Sequence, residues 1–366
     1  MGSSLGRLFK ITTYGESHGK AVGCVIENCP AGLILTEKDI QPDLDRRRPG
    51  QSALTTPRKE PDTVEILSGT FQEKTIGSPI SLIVYNKEAK ESDYADFKDI
   101  YRPSHADFTY HQRYGYRTYV GGGRASARST IGVTAAGAVA KKILKEKLKT
   151  DICAYVSQIH DLILPNGFDN SNIKKIRDIA EKNDIRCPDL KLAEKMTEKI
   201  KNIKKEGDSL GGVIELIADN VPAGLGDPVF DRMDALLAQA MMAIPAVKGV
   251  EIGSGFSAAS MKGSEHNDLF FNEKGKIRTR TNYSGGIQGG ITNGERIFMR
   301  IAFKPTATIR KEMPTVSEKG EEVILKAKGR HDPCVLPRAV PIVEAFAALV
   351  FADQYLISKT ANYNKL

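Results

Sequence analysis

The chain has 366 residues, 40% hydrophobic and 27% charged, the balance of a globular protein with room for one large domain or two ordinary ones. Lysine and arginine exceed aspartate and glutamate by 53 − 45, giving +8, which favours anionic partners without separating nucleic acid from small phosphates. Five scattered cysteines lack metal or redox spacing, MGSSLGRLFK lacks an apolar signal core, and no apolar run nears the roughly 20 residues that span a bilayer; the expectation is a reduced, soluble, cytoplasmic protein.

Leu8–Tyr14 reads as a strand leading into GESHG, and Ala21–Glu27 as a second strand ended by NCPAG. Thr36, with Asp39 three residues on, marks a helix start, and Arg46, Arg47 and Arg48 before Pro49-Gly50 mark its end. Pro42 then belongs in a first turn or at a kink. Val64–Leu67 and Ile80–Tyr85 are strand-like. Asn86–Val120 is aromatic, charged and without period, so it reads as a long functional loop. It carries RPSHAD and ends at Gly121.

Gly121–Ala140, GGGRASARSTIGVTAAGAVA, begins with glycines that let a ligand approach the backbone, and Ala125–Leu148 reads as one helix, small and apolar in its first half. Two readings are open. One is an anion cradle at a helix N-terminus, supplied with the forked donors of Arg124 and Arg128. The other is a glycine turn capping a core helix, with the arginines in solvent.

Further on, Asp151–His160 and Leu210–Ala218 read as strands, Leu190–Lys205 as a solvated lysine-rich helix and Phe230–Ile244 as a helix. Lys248–Ile252 and Arg296–Phe303 are strands on either side of a glycine-rich loop, Gly253–Gly294, and Arg338–Ile357 is a final apolar helix. GCVIENCPAGL (Gly23–Leu33) and GVIELIADNVPAGL (Gly212–Leu225) share Asn-X-Pro-Ala-Gly-Leu after a strand, which suggests two halves about a pseudo-twofold axis.

Of six histidines, His18, His105 and His331 lie in motif-like settings; each is a candidate proton donor or acceptor and equally a local partner of Glu16, Asp107 or Asp332. Arg47, Arg102, Arg124, Arg128, Lys304 and Arg330 are candidate anion contacts. If they converge, a multiply charged anion is needed to balance them. The P-loop and dinucleotide fingerprints do not fit GGGRASAR, and no HExxH or acidic cluster marks a metal site. A basic RNA-binding protein is the rival from composition; it predicts steeply salt-dependent affinity.

GESHG, DLDRRRPG, RPSHAD, GGGRASARST, SGGIQGGITNG, KPT and GRHDPCVLPRAVPIVEA resemble, in order, the motifs of the chorismate synthase family. The resemblance runs over nearly the whole chain. It implies a single domain over residues 1–366, an α/β class βαβ sandwich of antiparallel sheets and packed helices, and long active-site loops. It implies a lyase that eliminates phosphate from 5-enolpyruvylshikimate-3-phosphate to give chorismate. It further implies obligate reduced FMN, NADPH as a reductant used directly or through a separate flavin reductase, and a homotetramer with no nucleic acid or membrane partner.

The site residues follow from the same resemblance. Arg47, Arg102, Arg128 and Arg330 would hold substrate or flavin; His105 would be the acid at the leaving phosphate; His18 would stabilise the flavin; Ser17 and Asp332 would relay the ring proton toward flavin N5. Flavin contacts would include Arg47, Arg124, Ala125, Ser126, Pro245, Ala246, Gly289, Lys304, Pro305, Thr306, Ala307, Thr308 and Arg330. Some members carry arginine where Ala53 stands and asparagine at Pro245.

Overall fold

In the computed structural model, which describes residues 2–52, 54–55, 60–87, 97–165, 167–326 and 332–362, the apolar and β-branched runs pair into two sheets. The first holds β1 (Lys10–Gly15), β2 (Ala21–Glu27), β3 (Val64–Ile66) and β4 (Ile80–Tyr85), in the antiparallel order β1–β2–β4–β3, with Ser4–Leu5 beside β1. The second holds β5 (Asp151–Ile159), β6 (Gly212–Asp219), β7 (Val247–Ile252) and β8 (Ile297–Phe303), in the antiparallel order β5–β6–β8–β7, with Leu162–Ile163 beside β5.

The helices are α1 (Glu37–Arg47), α2 (Asp107–Tyr114), α3 (Thr130–Leu148), α4 (Ile173–Ala180), α5 (Leu190–Lys205), α6 (Met233–Met242) and α7 (Leu336–Ser358). Helix α3 packs on the first sheet and α7 on the second, and the two pack on each other, with α1 against both and α6 against α7. The result is a sandwich with helices between sheets and a large hydrophobic core; among the described residues Phe97 and Leu325 form a small separate cluster. The small residues of α3 permit the close approach: a Cβ on Gly132 would lie 2.5 Å from the Gly23 carbonyl of β2, and one on Gly137 would lie 2.4 Å from Ala345 Cβ of α7.

The two sheets share one connectivity. The run β1–β2–α1–β3–β4–α3 builds the first, and β5–β6–α6–β7–β8–α7 builds the second in the matching strand order. The shared Asn-X-Pro-Ala-Gly-Leu turns follow equivalent central strands, and Asn28 and Asn220 both take the left-handed conformation at φ 58°.

Several elements depart from the sequence reading. Pro42 lies inside α1, not in its first turn. The helix tolerates it because Ile40 and Leu44 are wholly buried and Thr36 N–H, at the N-cap, donates to Asp39 Oδ2 at 2.9 Å. The expected helix from Ala125 begins instead at Thr130; ahead of it, Gly123–Ala125 and Ala127–Ser129 form separate 3-10 turns around an extended Ser126. The long loop before Gly121 contains α2, the segment ahead of the lysine-rich helix contains α4, and Gly253–Gly294 holds the hairpins Phe270–Glu273/Lys276–Thr279 and Ile287–Gln288/Ile291–Thr292. Helix α7 is long and apolar enough to cross a membrane, against the expectation that no run is; 83% of its apolar stretch is buried inside the protein, the place of a core helix.

Candidate active site

The pairing of β7 with β8 sets the site's floor. Ala246 just before β7 accepts the Lys304 N–H just after β8 at 2.9 Å, so Pro245, Ala246 and the run Lys304–Thr308 meet at one end of the second sheet. A cavity of about 430 Å³ opens there. His18, between β1 and β2, lines it, as do Arg47 at the end of α1, Arg102 and His105 before α2, and Ala125 and Ser126 before α3. Asp332 and Arg338, at and inside the start of α7, close it.

Both histidines are held at Nδ1. His18 Nδ1 lies 3.0 Å from Ser17 Oγ, and Ser17 is buried beneath it. His105 Nδ1 lies 3.1 Å from Asp107 Oδ1. Gly121, at φ +69°, presses its backbone on the first pair: a Cβ there would sit 2.4 Å from His18 Nδ1 and 2.8 Å from Ser17 Oγ. Only glycine fits such a position without strain.

The buried arginines are balanced by carboxylates. Arg47 donates from Nη1 to Asp62 Oδ2 at 3.0 Å and from Nη2 to the Ala127 carbonyl at 2.7 Å. Arg128 donates to the other oxygen of Asp62 at 3.0 Å and to Glu60 at 3.4 Å, with Asn86 Oδ1 on its Nε. Arg102 makes two bonds to Asp107, at 2.7 and 2.6 Å, and a third to the Gly121 carbonyl at 2.7 Å. Arg338 binds Asp332 and donates from Nε to the Arg47 carbonyl at 3.2 Å. The expectation that converging cations need an anionic ligand for balance is corrected for Arg47, Arg102 and Arg128, whose counter-charges the chain supplies itself. Burial would raise the Asp107 carboxyl, but the bonds from Arg102 and His105 hold it well below the usual carboxylate range. Burial pulls the Arg47 guanidinium down to about 9 against the pull of Asp62, leaving it cationic at neutral pH.

Lys304 differs from these arginines. Among the described residues it has no carboxylate partner, and burial together with neighbouring Lys248 draws its ammonium below the ordinary lysine value.

Other expected residues lie elsewhere. Arg128 stands behind Arg47 and does not line the cavity. Arg124 turns to the first sheet, donating to the Gly15 carbonyl at 3.2 Å and to Thr13 Oγ1 at 2.8 Å. Neither of the two readings of the glycine-rich stretch holds for the arginines, which are neither at the cavity nor in bulk solvent; the backbone of Gly121, Gly122 and Ala125–Ala127 lines the cavity, and the stretch leads into the core helix α3. Gly289 occupies an exposed hairpin turn away from the cavity. Arg330, His331 and Ala53 lie outside the described residues. Sequence reasoning missed Arg338, Asp62 and Glu60. A single arginine in the otherwise apolar start of α7 was the available signal for Arg338; nothing local distinguishes Asp62 or Glu60.

Comparison with known proteins supplies the identity. A family model described as chorismate synthase matches residues 9–356. The chorismate synthase of Trichormus variabilis is 57% identical over 97% of this chain and 98% of its own length. The chloroplastic chorismate synthase of Capnoides sempervirens is 57% identical over 97% of this chain and 80% of its own. A crystal structure of chorismate synthase superposes with a TM-score of 0.77 at 34% identity, covering 97% of this chain and 94% of the other. The class these define is an α/β lyase. The chain belongs to the chorismate synthase family, whose reaction removes phosphate from 5-enolpyruvylshikimate-3-phosphate by 1,4-elimination to give chorismate.

Proposed function

We propose that the cavity at the end of β7 and β8 is the active site, and that it holds substrate together with reduced FMN. The observation that carries this is one cavity collecting both Nδ1-held histidines, three arginines and the unbalanced Lys304. The residues fit a flavin mononucleotide. Gly121 and its neighbours bring bare backbone to the wall, Lys304 beside Lys248 suits a phosphate, and Ile244, Phe303, Val335 and Ile342 give an apolar face for a planar ring. Ala125, Ser126, Pro245, Ala246 and Pro305–Thr308 would complete that wall.

When bound, the reduced flavin supplies electron density to the substrate ring as phosphate departs. The chain's own residues do the rest. Arg47, Arg102 and Arg338, each already braced by a carboxylate, orient the carboxylates and phosphate of the substrate without having to reorganise. The carbon–oxygen bond breaks with its electron pair leaving on phosphate, and His105 gives that oxygen the proton on Nε2. A ring carbon–hydrogen bond also breaks, its pair becoming the new double bond; the Asp332 carboxylate at the cavity wall would accept the proton, with Ser17, buried beneath His18, as the second member of the relay. No net oxidation results. His18, held by Ser17, supports the reduced cofactor.

The same reading carries a cytoplasmic homotetramer and a two-halved fold. Exposed Phe230 and Phe256, 90% and 82% accessible, support association, and the matching connectivity of the sheets supports related halves. The decisive experiment is anaerobic turnover of 5-enolpyruvylshikimate-3-phosphate with chemically reduced FMN, with and without NADPH. Chorismate under chemical reduction is the expected result, and its absence would refute flavin use. Chorismate from NADPH and oxidised FMN alone would make a separate reductase unnecessary.

A further inference from the structure

We propose that Ser209 is a positioning residue of the active-site wall: its hydroxyl, bonded to the Thr306 carbonyl, holds the run Lys304–Thr308 against Asp332 in the arrangement that takes the flavin. The inference rests on the reading of the cavity as a flavin site and deepens it.

That run needs support from outside the sheet. The Lys304 N–H still bonds the Ala246 carbonyl at 2.9 Å, but Pro305 has no N–H, so the pairing beside β7 stops there. The residues that follow cross the cavity wall outside either sheet. The support comes from GDSLGG, Gly207–Gly212, the connection from α5 into β6, which lines no part of the cavity. Ser209 is buried, and its Oγ donates to the Thr306 carbonyl at 2.9 Å. Thr306 Oγ1 in turn donates to the Asp332 carbonyl at 2.9 Å. The carbonyl of the next residue, Pro333, accepts the Leu210 N–H at 2.8 Å. Leu210 follows Ser209, so these bonds close a ring that keeps the loop after β8 and the entry to α7 in one register.

The ring is anchored on both sides. Upstream, the Gly207 carbonyl accepts the Arg310 N–H at 2.8 Å. Asp208 accepts the Ser209 N–H at 2.8 Å on one oxygen and the Lys311 ammonium at 2.7 Å on the other. Downstream, Gly211 passes so close beneath the wall that a Cβ there would lie 2.4 Å from the Phe303 carbonyl oxygen and 3.0 Å from Pro305 N. Glycine permits that approach. A buried donor with one fixed acceptor sets the position of Thr306 to within the tolerance of a hydrogen bond. Ser209 therefore acts through Thr306 and Asp332 and not by touching a ligand.

A serine that only braced its own loop would add to stability and leave ligand binding alone. Titration of flavin-free enzyme with oxidised FMN, read by quenching of flavin fluorescence, separates the two roles. Ser209→Ala should raise the Kd for FMN about 10-fold, the worth of about one hydrogen bond. The Tm of the flavin-free protein should fall by less than about 4 °C. In the Thr306→Val background, where the ring is already open, the same substitution should cost less than about 3-fold, because coupled residues are not additive. Ser209→Thr keeps the donor and should bind FMN within about 3-fold of wild type; it also serves if the alanine variant does not fold. An unchanged Kd for Ser209→Ala, full additivity with Thr306→Val, or a folded threonine variant that binds about 10-fold more weakly would each overturn the proposal. Lys304→Ala then tells which reading has failed. Weakened FMN binding in that variant leaves the flavin site standing and refutes the positioning role alone. Wild-type binding there removes the flavin site, and the positioning role with it.

Discussion

Asp62 Oδ2 accepts Arg47 Nη1 at 3.0 Å, and the same carboxylate, through Oδ1, accepts Arg128 at 3.0 Å. Arg47 and Asp62 are both essentially inaccessible to solvent. Breaking one partner of such a cluster strands charge in the interior, at about 3–5 kcal/mol. Asp62→Asn should therefore lower the free energy of unfolding by about that amount, and it should raise KM through loss of Arg47 alignment. Urea unfolding with flavin-free protein checks the first, and substrate titration the second. An unchanged midpoint would mean that Glu60 and Asn86 suffice to hold the pair.

Gly121 is the most constrained point of the glycine-rich stretch. Its φ is +69°, and an added Cβ would meet His18 and Ser17 below van der Waals distance. Gly121→Ala should displace the imidazole by a few tenths of an ångström or more and cost about 10²-fold in turnover, since misplaced catalytic groups lose rate steeply. The substituted neighbour Gly122→Ala meets its nearest atom at 3.2 Å and should be far milder. Comparing kcat of the two variants tests whether the glycine serves His18; equal losses would point to the turn itself.

Acid stability should be governed in part by Glu344. It is buried on α7, where Lys141 of α3 donates to it at 2.8 Å, Arg46 of α1 at 2.7 and 3.1 Å, and the Ala154 N–H of β5 at 3.1 Å. Burial would raise its carboxyl, but Arg46 and Lys141 outweigh burial and hold it far below the ordinary glutamate value. A depressed folded-state value means stability present above the unfolded value of about 4.3 and lost as pH falls below it. Wild-type Tm should drop steeply below about pH 4.3. Glu344→Gln should begin lower and show a shallower decline there. Parallel curves for the two proteins would locate the acid sensitivity elsewhere.

The legible part of this molecule was local. Strand and helix periodicity placed β2, β4 and α5 to the residue, because each is set by its own burial pattern. The repeated Asn-X-Pro-Ala-Gly-Leu turn marked the ends of strands β2 and β6, because asparagine is one of the few residue types that tolerate the left-handed conformation found at Asn28 and Asn220. Helix α3 starts five residues later than its composition suggests, since Gly121–Ser129 is composed like a helix start and tertiary contact of Gly121 with His18 and Arg102 holds it open. Convergence was legible only through motif resemblance. Nothing near Asp62 in the sequence says that it bridges Arg47 and Arg128, which are 81 residues apart in the chain (128 − 47). Such pairing is a product of packing α1 against α3.

Arg338 offers the last test, because it joins two elements that the sequence keeps far apart. Its Nε donates to the Arg47 carbonyl at 3.2 Å, tying α7 to the end of α1, while Nη1 holds the Asp332 carboxylate beside the cavity. A guanidinium makes both bonds because its donors diverge from one rigid plane. A lysine keeps the charge but is a single point and can satisfy one acceptor at a time in this geometry. Arg338→Lys should therefore retain much of the substrate affinity that comes from charge, and lose about 10-fold or more in kcat as Asp332 and Arg47 fall out of register. The measurement is kcat and KM for 5-enolpyruvylshikimate-3-phosphate with chemically reduced FMN. A rise in KM at constant kcat would show that Arg338 serves only as a counter-charge, and that the alignment of Asp332 comes from Thr306, whose Oγ1 donates to the Asp332 carbonyl at 2.9 Å.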